Sequence, residues 1–336
     1  MSALHLPLRC LAWLGRQGTR AVAVSALVGL FLPPLSALFR PFVEEAIFLL
    51  LVLAFLRVDP AAVTAYLRAP RLVAPAGVWM LLAVPVATAL ALTTTGVAAA
   101  YPELAMAAFL VTAAPPVMSA PAFVALIGLD GALALALVCA TMLAAPLTAP
   151  LIAGLLLGDT LPVDAGGLAL RLAGLLAASA AVAAILRRVF GARRIVAART
   201  HIDGLNVALL FVFAVAVMDG VAESFLARPL LTLGIGALTF AVALTQMAVT
   251  FLVFRPAGSD RAFVLAHATG NRNMGLLVAA LGGTLPDLAW LYFGLGQLPI
   301  YLLPWILKPL ADRALAGAPE RANENPAPRT GSEPDG

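Results

Sequence analysis

Apolar runs of about 20 residues follow one another along nearly the whole chain, and short segments that carry the charged residues separate them. The chain is 62% hydrophobic and only 11% charged, whereas soluble domains carry about 25% charged residues. Runs of this length cross a bilayer as α-helices, since lipid offers no partners to an unpaired backbone. We therefore predict an all-α polytopic membrane protein with ten spanning segments, at roughly 21–39, 42–57, 72–95, 103–128, 131–157, 167–190, 205–222, 229–254, 260–283 and 287–310.

The positions of arginine and lysine predict the orientation of these segments. With the N-terminus in the cytoplasm, 17 of the 21 arginine and lysine residues fall in cytoplasmic connections, and three fall on the opposite side. Arg272 lies inside the ninth segment and belongs to neither side. Because positive residues accumulate on the cytoplasmic side, this bias predicts an even number of spans with both termini in the cytoplasm. We expect a multi-pass protein of a bacterial inner (plasma) membrane, with the lipid bilayer as a partner.

Ten spans divide into two sets of five, and an odd number makes the second set enter from the opposite side. This is the topology of an inverted repeat. The last residues are polar and rich in Pro, Gly and Glu, which is typical of a disordered segment. The predicted organisation is a cytoplasmic N-terminal segment at 1–20, a first five-helix repeat at 21–157, an external loop at 158–166, a second five-helix repeat at 167–310 and a disordered cytoplasmic tail at 311–336.

Other features of the sequence argue against several classes of protein. The formal net charge of +4 comes from residues spread between apolar runs, so no basic face predicts nucleic-acid binding. The two cysteines, Cys10 and Cys139, indicate no disulfide framework, zinc site or iron–sulfur cluster, and we expect no cofactor. The sequence has no HExxH motif, which leaves an intramembrane enzyme or a sensor as a minor alternative. Both a monomer and a homodimer remain open.

Two of the ten segments contain residues that interrupt helices. The fourth segment contains Pro115, Pro116 and Pro121, and the ninth contains Gly270 and Gly275. Each segment is the fourth of its set of five. Interruptions at matching positions of two halves are typical of the central site of a transporter.

The prolines of the fourth segment remove backbone donors. Pro115 and Pro116 have no N–H and clash with the preceding turn, so the carbonyls near 111–113 are expected to lose their partners. Thr112 and Ser119 place hydroxyls nearby. The free groups suit a cation or a water-filled crossing, and the alternative is a proline kink packed against neighbouring helices.

The ninth segment places a charge at membrane depth between two glycines. Arg272 lies between Asn271 and Asn273, and His267 and Thr269 precede it. Charged side chains at this depth mark ion or substrate paths, so we predict that Arg272 binds an anionic group together with the start of the following half-helix. Two alternatives remain: Arg272 ties carbonyls of the broken fourth segment together, or it lies near the membrane interface.

Two further polar side chains are candidates for the same site. His267 is either a proton-coupling group or a hydrogen-bonded structural histidine. Gln246, in the middle of the eighth segment, either lines the site or forms an interhelical hydrogen bond.

The segments APPVMSAPAF (114–123) and GNRNMGL (270–276) resemble those of the bile acid:sodium symporter family, within the bile acid, arsenite and riboflavin transporter superfamily. The resemblance implies a panel domain and a core domain, with the fourth and ninth helices crossing at the centre of the core. Sodium symporters of this family typically show Glu-x-Gly-x-Gln-Asn in the ninth helix. Aligned on the glycine and the asparagine, the glutamate position holds Ala268 and the glutamine position holds Arg272. In the fourth helix, a Ser-Asn pair of the family appears here as Ser119-Ala120.

These residues predict a secondary active transporter, not an enzyme, that moves a small organic anion by alternating access. In this hypothesis the guanidinium of Arg272 occupies the space that sodium fills in the family, and coupling is to protons or absent. The alternative is a sodium-coupled symporter of bile-acid-like or other organic anions, with a sodium site near Ser119 and Asn273.

Overall fold

Helices make up almost all of the structure, a computed structural model that describes residues 5–58, 64, 71–157, 164–281 and 285–316. Short 3-10 turns at Arg40–Phe42 and Arg255–Ala257 and a π-helical turn at Trp79–Ala83 connect consecutive helices. The described residues contain no β-strand, only an isolated antiparallel bridge between Pro116 and Arg272. In chain order the α-helices are α1 (His5–Phe31), α2 (Pro33–Phe39), α3 (Val43–Arg57), α4 (Val73–Val78), α5 (Val84–Thr94), α6 (Val97–Ala100), α7 (Pro102–Ala113), α8 (Ala120–Leu126), α9 (Gly131–Leu157), α10 (Ala165–Phe190), α11 (Ala192–Ala197), α12 (Arg199–Ala216), α13 (Val221–Ala227), α14 (Pro229–Phe254), α15 (Ser259–Gly270), α16 (Met274–Leu281) and α17 (Asp287–Ala316).

Several helical stretches are long and apolar enough to cross a bilayer. Along α9, leucines at four-residue intervals from Leu143 to Leu155 lie exposed on one face, which suits contact with lipid. The chain is therefore an all-α membrane protein. Among the described residues, five stretches meet the criteria of length and composition: Val73–Thr94, Gly131–Leu156, Ala165–Phe190, Arg199–Ala227 and Pro229–Ala257.

Two helices extend beyond the apolar segments predicted for them. Helix α1 begins at His5, so the described part of the N-terminal segment predicted at 1–20 is helical and continuous with the first apolar segment. Helix α17 continues to Ala316, so the tail expected at 311–336 begins as helix. In both places Ala, Leu and Arg, which favour helix, continue it past the apolar run. Residues 317–336 lie outside the described part of the chain.

The external loop predicted at 158–166 is shorter at its C-terminal end. Helix α10 begins at Ala165. The carboxylate of Asp164 caps this helix by accepting a hydrogen bond from the N–H of Gly167 at 2.9 Å. Residues 158–163 are outside the described ranges.

Helix α1 packs along α12 through small residues. Gly204 lies directly against the backbone carbonyl of Leu11. Gly29 lies against Val215 and Met218, where an added Cβ would come within 2.8 Å. Since no side chain separates the two backbones, the helices approach closely, as small residues allow in membrane proteins.

Two ion pairs join the ends of α12 to the preceding helices. At one end, Arg40 Nη1 lies 2.8 Å from Asp219 Oδ2. At the other end, Arg57 Nη1 lies 3.2 Å from Asp203 Oδ1, and Arg57 also donates to Asn206. These contacts hold α12 against the segment that contains α2 and α3.

The interior of the molecule is built around α7, α15 and α16. Every residue of α7 from Leu104 to Ala113 is buried, and so are nearly all residues from Ala262 to Leu281. A helix that is apolar on all sides is enclosed by other helices. The two interrupted segments therefore meet inside the molecule and away from its lipid-facing surface.

Candidate functional site

Both interruptions predicted from the sequence are breaks between helices. Helix α7 ends at Ala113 and α8 begins at Ala120. Helix α15 ends at Gly270 and α16 begins at Met274. The backbone is extended at Ala114 in the first break and at Asn271 in the second, and Met118 and Ser119 form a turn before α8.

The two breaks contact each other in antiparallel fashion. The N–H of Val117 donates to the carbonyl of Asn271 at 2.9 Å, and the N–H of Asn273 donates to the carbonyl of Pro115 at 2.8 Å. We call the contact between residues 114–119 and 271–273 the crossing. Each break thus supplies partners for backbone groups of the other.

In the fourth segment the prolines free carbonyls largely as predicted. The N–H of Ala114 closes α7 by donating to Leu110 at 3.1 Å and to Val111 at 3.2 Å. Because residues 115 and 116 are prolines, the carbonyls of Thr112 and Ala113 receive no backbone hydrogen bond from the described residues. The crossing itself uses the next two carbonyls, those of Ala114 and Pro115.

Pro121 and Gly275, which the sequence marked as breaks, lie inside the flanking helices. Pro121 is in the first turn of α8, where its missing N–H has no helical partner to lose, so the prediction of a third break there is wrong. Gly275 is in the first turn of α16 and packs closely: an added Cβ would lie 3.3 Å from Phe213 and 3.4 Å from Ile47.

Arg272 lies at the centre of the crossing with 2% of its surface exposed. Its guanidinium donates three hydrogen bonds, all to backbone carbonyls: Nε to Thr269 at 2.6 Å, Nη1 to Ala114 at 2.9 Å and Nη2 to Met80 at 3.2 Å. The three acceptors belong to three different segments, and a charged donor forms stronger bonds than a neutral one. This is the geometry of the alternative in which Arg272 ties broken segments together.

Thr269 and Ala114 offer free carbonyls because of the breaks themselves. In a continuous helix the N–H of Asn273 would bond to Thr269, but it donates to Pro115 instead. The carbonyl of Ala114 follows the end of α7, where the backbone is extended (φ −67°, ψ 149°). Both carbonyls are therefore free to accept hydrogen bonds from a side chain such as Arg272.

The Met80 carbonyl is free because the third apolar segment makes a π-helical turn at Trp79–Ala83. There the N–H of Val84 donates to the carbonyl of Trp79, five residues back. The next residue, Pro85, has no N–H, so neither helical register gives Met80 a donor. This contact was not predicted from the sequence, although Pro85 inside an apolar segment was a signal for it.

His267 and Asn271 form a second buried polar group beside Arg272. The Asn271 amide donates to the carbonyl of His267 at 2.9 Å and lies 3.2 Å from Nδ1 of its ring. The imidazole stacks on Phe123 of α8, with ring centroids 4.5 Å apart. Asn271 Oδ1 is buried and has no hydrogen-bond partner among the described residues. The group contains a packed histidine and one unpaired acceptor.

Asn273 and Gly270 have structural roles at the two ends of the ninth break. The side-chain oxygen of Asn273 accepts from the N–H of Leu276 at 3.3 Å, which caps the start of α16. Gly270 lies against the side chain of Met247, and an added Cβ would overlap that side chain. These contacts explain why an asparagine and a glycine suit these positions.

The candidate hydroxyls do not point into the crossing. Thr112 donates to the carbonyl of Phe109 and Thr269 donates to that of Leu265, each at 2.7 Å. Such bonds to the preceding turn satisfy a buried hydroxyl without a ligand. Ser119 is exposed, and its side chain makes no hydrogen bond within the described ranges. The structure therefore does not bring Ser119 into the buried polar group.

A small cavity lies beside the crossing, between α14, α17 and the ninth segment. Gln246, Arg272, Tyr292 and Gly296 line it, and its volume of about 20 Å³ has room for a water molecule. Gln246 Oε1 is buried without a hydrogen-bond partner in the described part of the chain. Gln246 therefore offers an acceptor to a water molecule or to a donor group of a ligand. The sequence did not indicate that Tyr292 and Gly296 belong to this wall.

No protein-family model matches the chain, and no curated protein matches it in sequence. The features of this chain that indicate a function are therefore the geometry of the crossing and the charge that it encloses.

Proposed function

We propose that this protein is a secondary active transporter that moves a small organic anion across the membrane by alternating access. The observation that carries the proposal is the buried guanidinium of Arg272, held by three backbone carbonyls where two broken segments meet. Broken segments that meet inside a membrane protein supply groups for ions and substrates. The proposal includes ten spans in two inverted five-helix repeats, with both termini in the cytoplasm of a bacterial cell.

The charge of Arg272 favours an anionic substrate. The ion pairs of the described residues, Arg40–Asp219 and Arg57–Asp203, do not involve it. A buried positive charge without a counter-ion attracts an anion to the adjacent space, because the low dielectric screens it weakly.

The size of the cavity supports alternating access. At about 20 Å³, the space beside Gln246 and Arg272 has room for water and none for an organic anion. Substrate binding therefore requires that α14 and α17 move relative to the ninth segment. In this proposal the structure represents a closed state of the transport cycle.

The same guanidinium supports coupling without sodium. Sodium sites in transporters use carbonyls that unwound helices leave free. Here the carbonyls of Thr269, Ala114 and Met80 accept hydrogen bonds from Arg272, which already supplies a positive charge. Coupling in the proposal is to protons, with His267 as the candidate carrier, or is absent.

One observation favours the alternative of a sodium-coupled symporter. Asn271 Oδ1 is buried and unpaired among the described residues, and an amide oxygen can bind sodium. The resemblance of the two interrupted segments to the bile acid:sodium symporter family points the same way. The two proposals differ in the effect of a sodium gradient on transport.

Radiotracer counterflow in proteoliposomes tests transport itself. Purified protein is reconstituted, the vesicles are loaded with one of a panel of organic carboxylates or sulfonates, and entry of the labelled anion is followed. We expect saturable entry that the loaded anion accelerates, and none in protein-free vesicles. Flux that does not saturate would indicate a channel, and a chemically altered product would indicate an enzyme. Absence of exchange for every anion tested would also contradict the proposal.

A further inference from the structure

We propose that an anionic phospholipid binds in a groove formed by the ends of α3, α10, α11 and α12. One acyl chain of the lipid lies in the groove, and the phosphate of the lipid binds the arginines of α10 and α11. The groove has a volume of about 260 Å³. Its lining is apolar except for one arginine: Leu56, Leu186, Phe190, Ile195, Ala198 and Ile202, with Arg194. That the groove lies on the cytoplasmic side follows from the orientation in the proposed function.

The positive charge beside this groove is not neutralised by the protein. Arg188, Arg193 and Arg194 are exposed, and no ion pair of the described residues includes them. The carboxylate closest in sequence, Asp203, is already paired with Arg57 at 3.2 Å. Arginine guanidinium groups bind phosphate through paired hydrogen bonds, so the cluster suits the headgroup of an anionic lipid.

The walls of the groove are held in place by contacts that need no lipid. Arg187 Nη2 donates to the carbonyls of Leu56 and Val58 at 2.7 and 2.5 Å, which fixes the end of α3 against α10. Gly191 has a φ of 78°, which ends α10 and turns the chain into the basic helix α11. Arg194 is thereby placed in the wall of an existing apolar space, and Arg193 precedes it on the same helix.

Apolar side chains at the end of α10 are exposed. Phe190, which lines the groove, is 52% exposed, and the neighbouring Val189 is 68% exposed. An acyl chain can therefore enter the groove from the membrane without leaving apolar surroundings. A free anion would use the arginines and leave the groove empty, whereas a zwitterionic lipid would gain less from the arginines. The apolar groove and the exposed arginines together favour an anionic phospholipid as the ligand.

Thermal unfolding of the full chain in detergent, with added lipid, tests the inference. A lipid that binds only the folded state raises the melting temperature. We expect phosphatidylglycerol to raise it several degrees more than phosphatidylcholine does. The double variant Arg193→Gln/Arg194→Gln should lose at least half of this difference. The control Arg228→Gln, which removes an exposed arginine at the start of α14, should keep it.

A second variant tests the acyl-chain part of the site. Ala198→Trp places a large side chain at the groove wall, and it should reduce the effect of phosphatidylglycerol while leaving the melting temperature without lipid within a few degrees of the wild type. Equal effects of the two lipids, or equal effects in the double variant and the wild type, would overturn the inference. So would inorganic phosphate producing the whole shift. Because no transport is measured, failure of the counterflow experiment would leave this result unaffected.

Discussion

The breaks in the fourth and ninth segments meet at one crossing, but they offer different groups to it. The fourth break contains two adjacent prolines, so it offers the carbonyls of Ala114 and Pro115 and, as a donor, the N–H of Val117. The ninth break contains glycine, asparagine and arginine, and it offers the N–H of Asn273 and the guanidinium of Arg272. Inside a membrane protein every backbone group needs a partner. Each break therefore supplies hydrogen-bond partners to the other.

This difference ranks the residues of the crossing. Replacing a residue that donates hydrogen bonds from one break to the other should reduce stability most. Replacing a residue that shapes one break should reduce it less, and replacing a hydroxyl that bonds within its own helix should reduce it least.

The largest expected effect comes from Arg272→Met, which removes all the guanidinium donors. Three buried carbonyls lose a partner, and an unpaired buried group costs about 1–3 kcal/mol. We expect the free energy of unfolding to fall by at least about 3 kcal/mol, and counterflow to be lost. Arg272→Lys should recover only part of the stability, since an ammonium lacks the planar fork of donors. Thermal unfolding in detergent, with counterflow in vesicles, measures both effects.

Arg228→Met is the matched control for this prediction, because it makes the same chemical change at an exposed position. It should leave the melting temperature nearly unchanged. If Arg272→Met unfolded at the temperature of this control, the crossing would not depend on the guanidinium.

A smaller effect is expected from Gly270→Ala, which changes the shape of the ninth break. The new Cβ would overlap the side chain of Met247 on α14, and such overpacking costs about 1–3 kcal/mol. Gly236→Ala, inside α14, is the control, because an added Cβ there meets nothing within 4 Å. The melting temperature should fall in the first variant and stay level or rise in the second. Equal behaviour of the two variants would show that Gly270 is not a contact point.

Asn273→Ala should lower the free energy of unfolding by less than Gly270→Ala does. It removes the cap of α16, worth about 1 kcal/mol, but leaves the N–H that donates to Pro115. Asn273→Asp keeps an oxygen that can accept from Leu276, and it should retain most of the stability. Chemical unfolding followed by tryptophan fluorescence would give the difference. A loss as large as that of Arg272→Met would mean that Asn273 does more than cap the helix.

The smallest effect is expected from Thr112→Val and Thr269→Val. Each hydroxyl bonds to its own helix, so its loss should change the free energy of unfolding by no more than about 1 kcal/mol. Counterflow should continue at a similar rate in both variants. Loss of counterflow in a variant that melts like the wild type would instead give that hydroxyl a role in substrate binding.

Much of the crossing could be predicted from the sequence, because proline and glycine act locally. The breaks fall where Pro115, Pro116 and Gly270 place them. The direction of the Arg272 side chain could not be predicted, since a guanidinium can donate hydrogen bonds either to an anionic ligand or to backbone carbonyls. Its bond to Met80 depends on a π-helical turn 192 residues earlier in the chain, and only the folded packing brings the two together.

The start of α1 and the end of α17 also could not be predicted from the pattern of apolar residues. Hydropathy marks where a helix enters lipid, whereas the helical conformation continues as long as the residues favour it. Helix α1 therefore begins at His5 and α17 continues to Ala316. The apolar pattern thus does not mark the ends of these two helices.

In the proposed function, the guanidinium of Arg272 takes the place of a coupling sodium ion. The decisive experiment is initial uptake of a labelled substrate anion into proteoliposomes, at constant pH and with the membrane potential clamped. We expect the same rate with an inward sodium gradient and with choline in place of sodium. A rate that rises steeply with the sodium gradient would show instead that sodium drives transport.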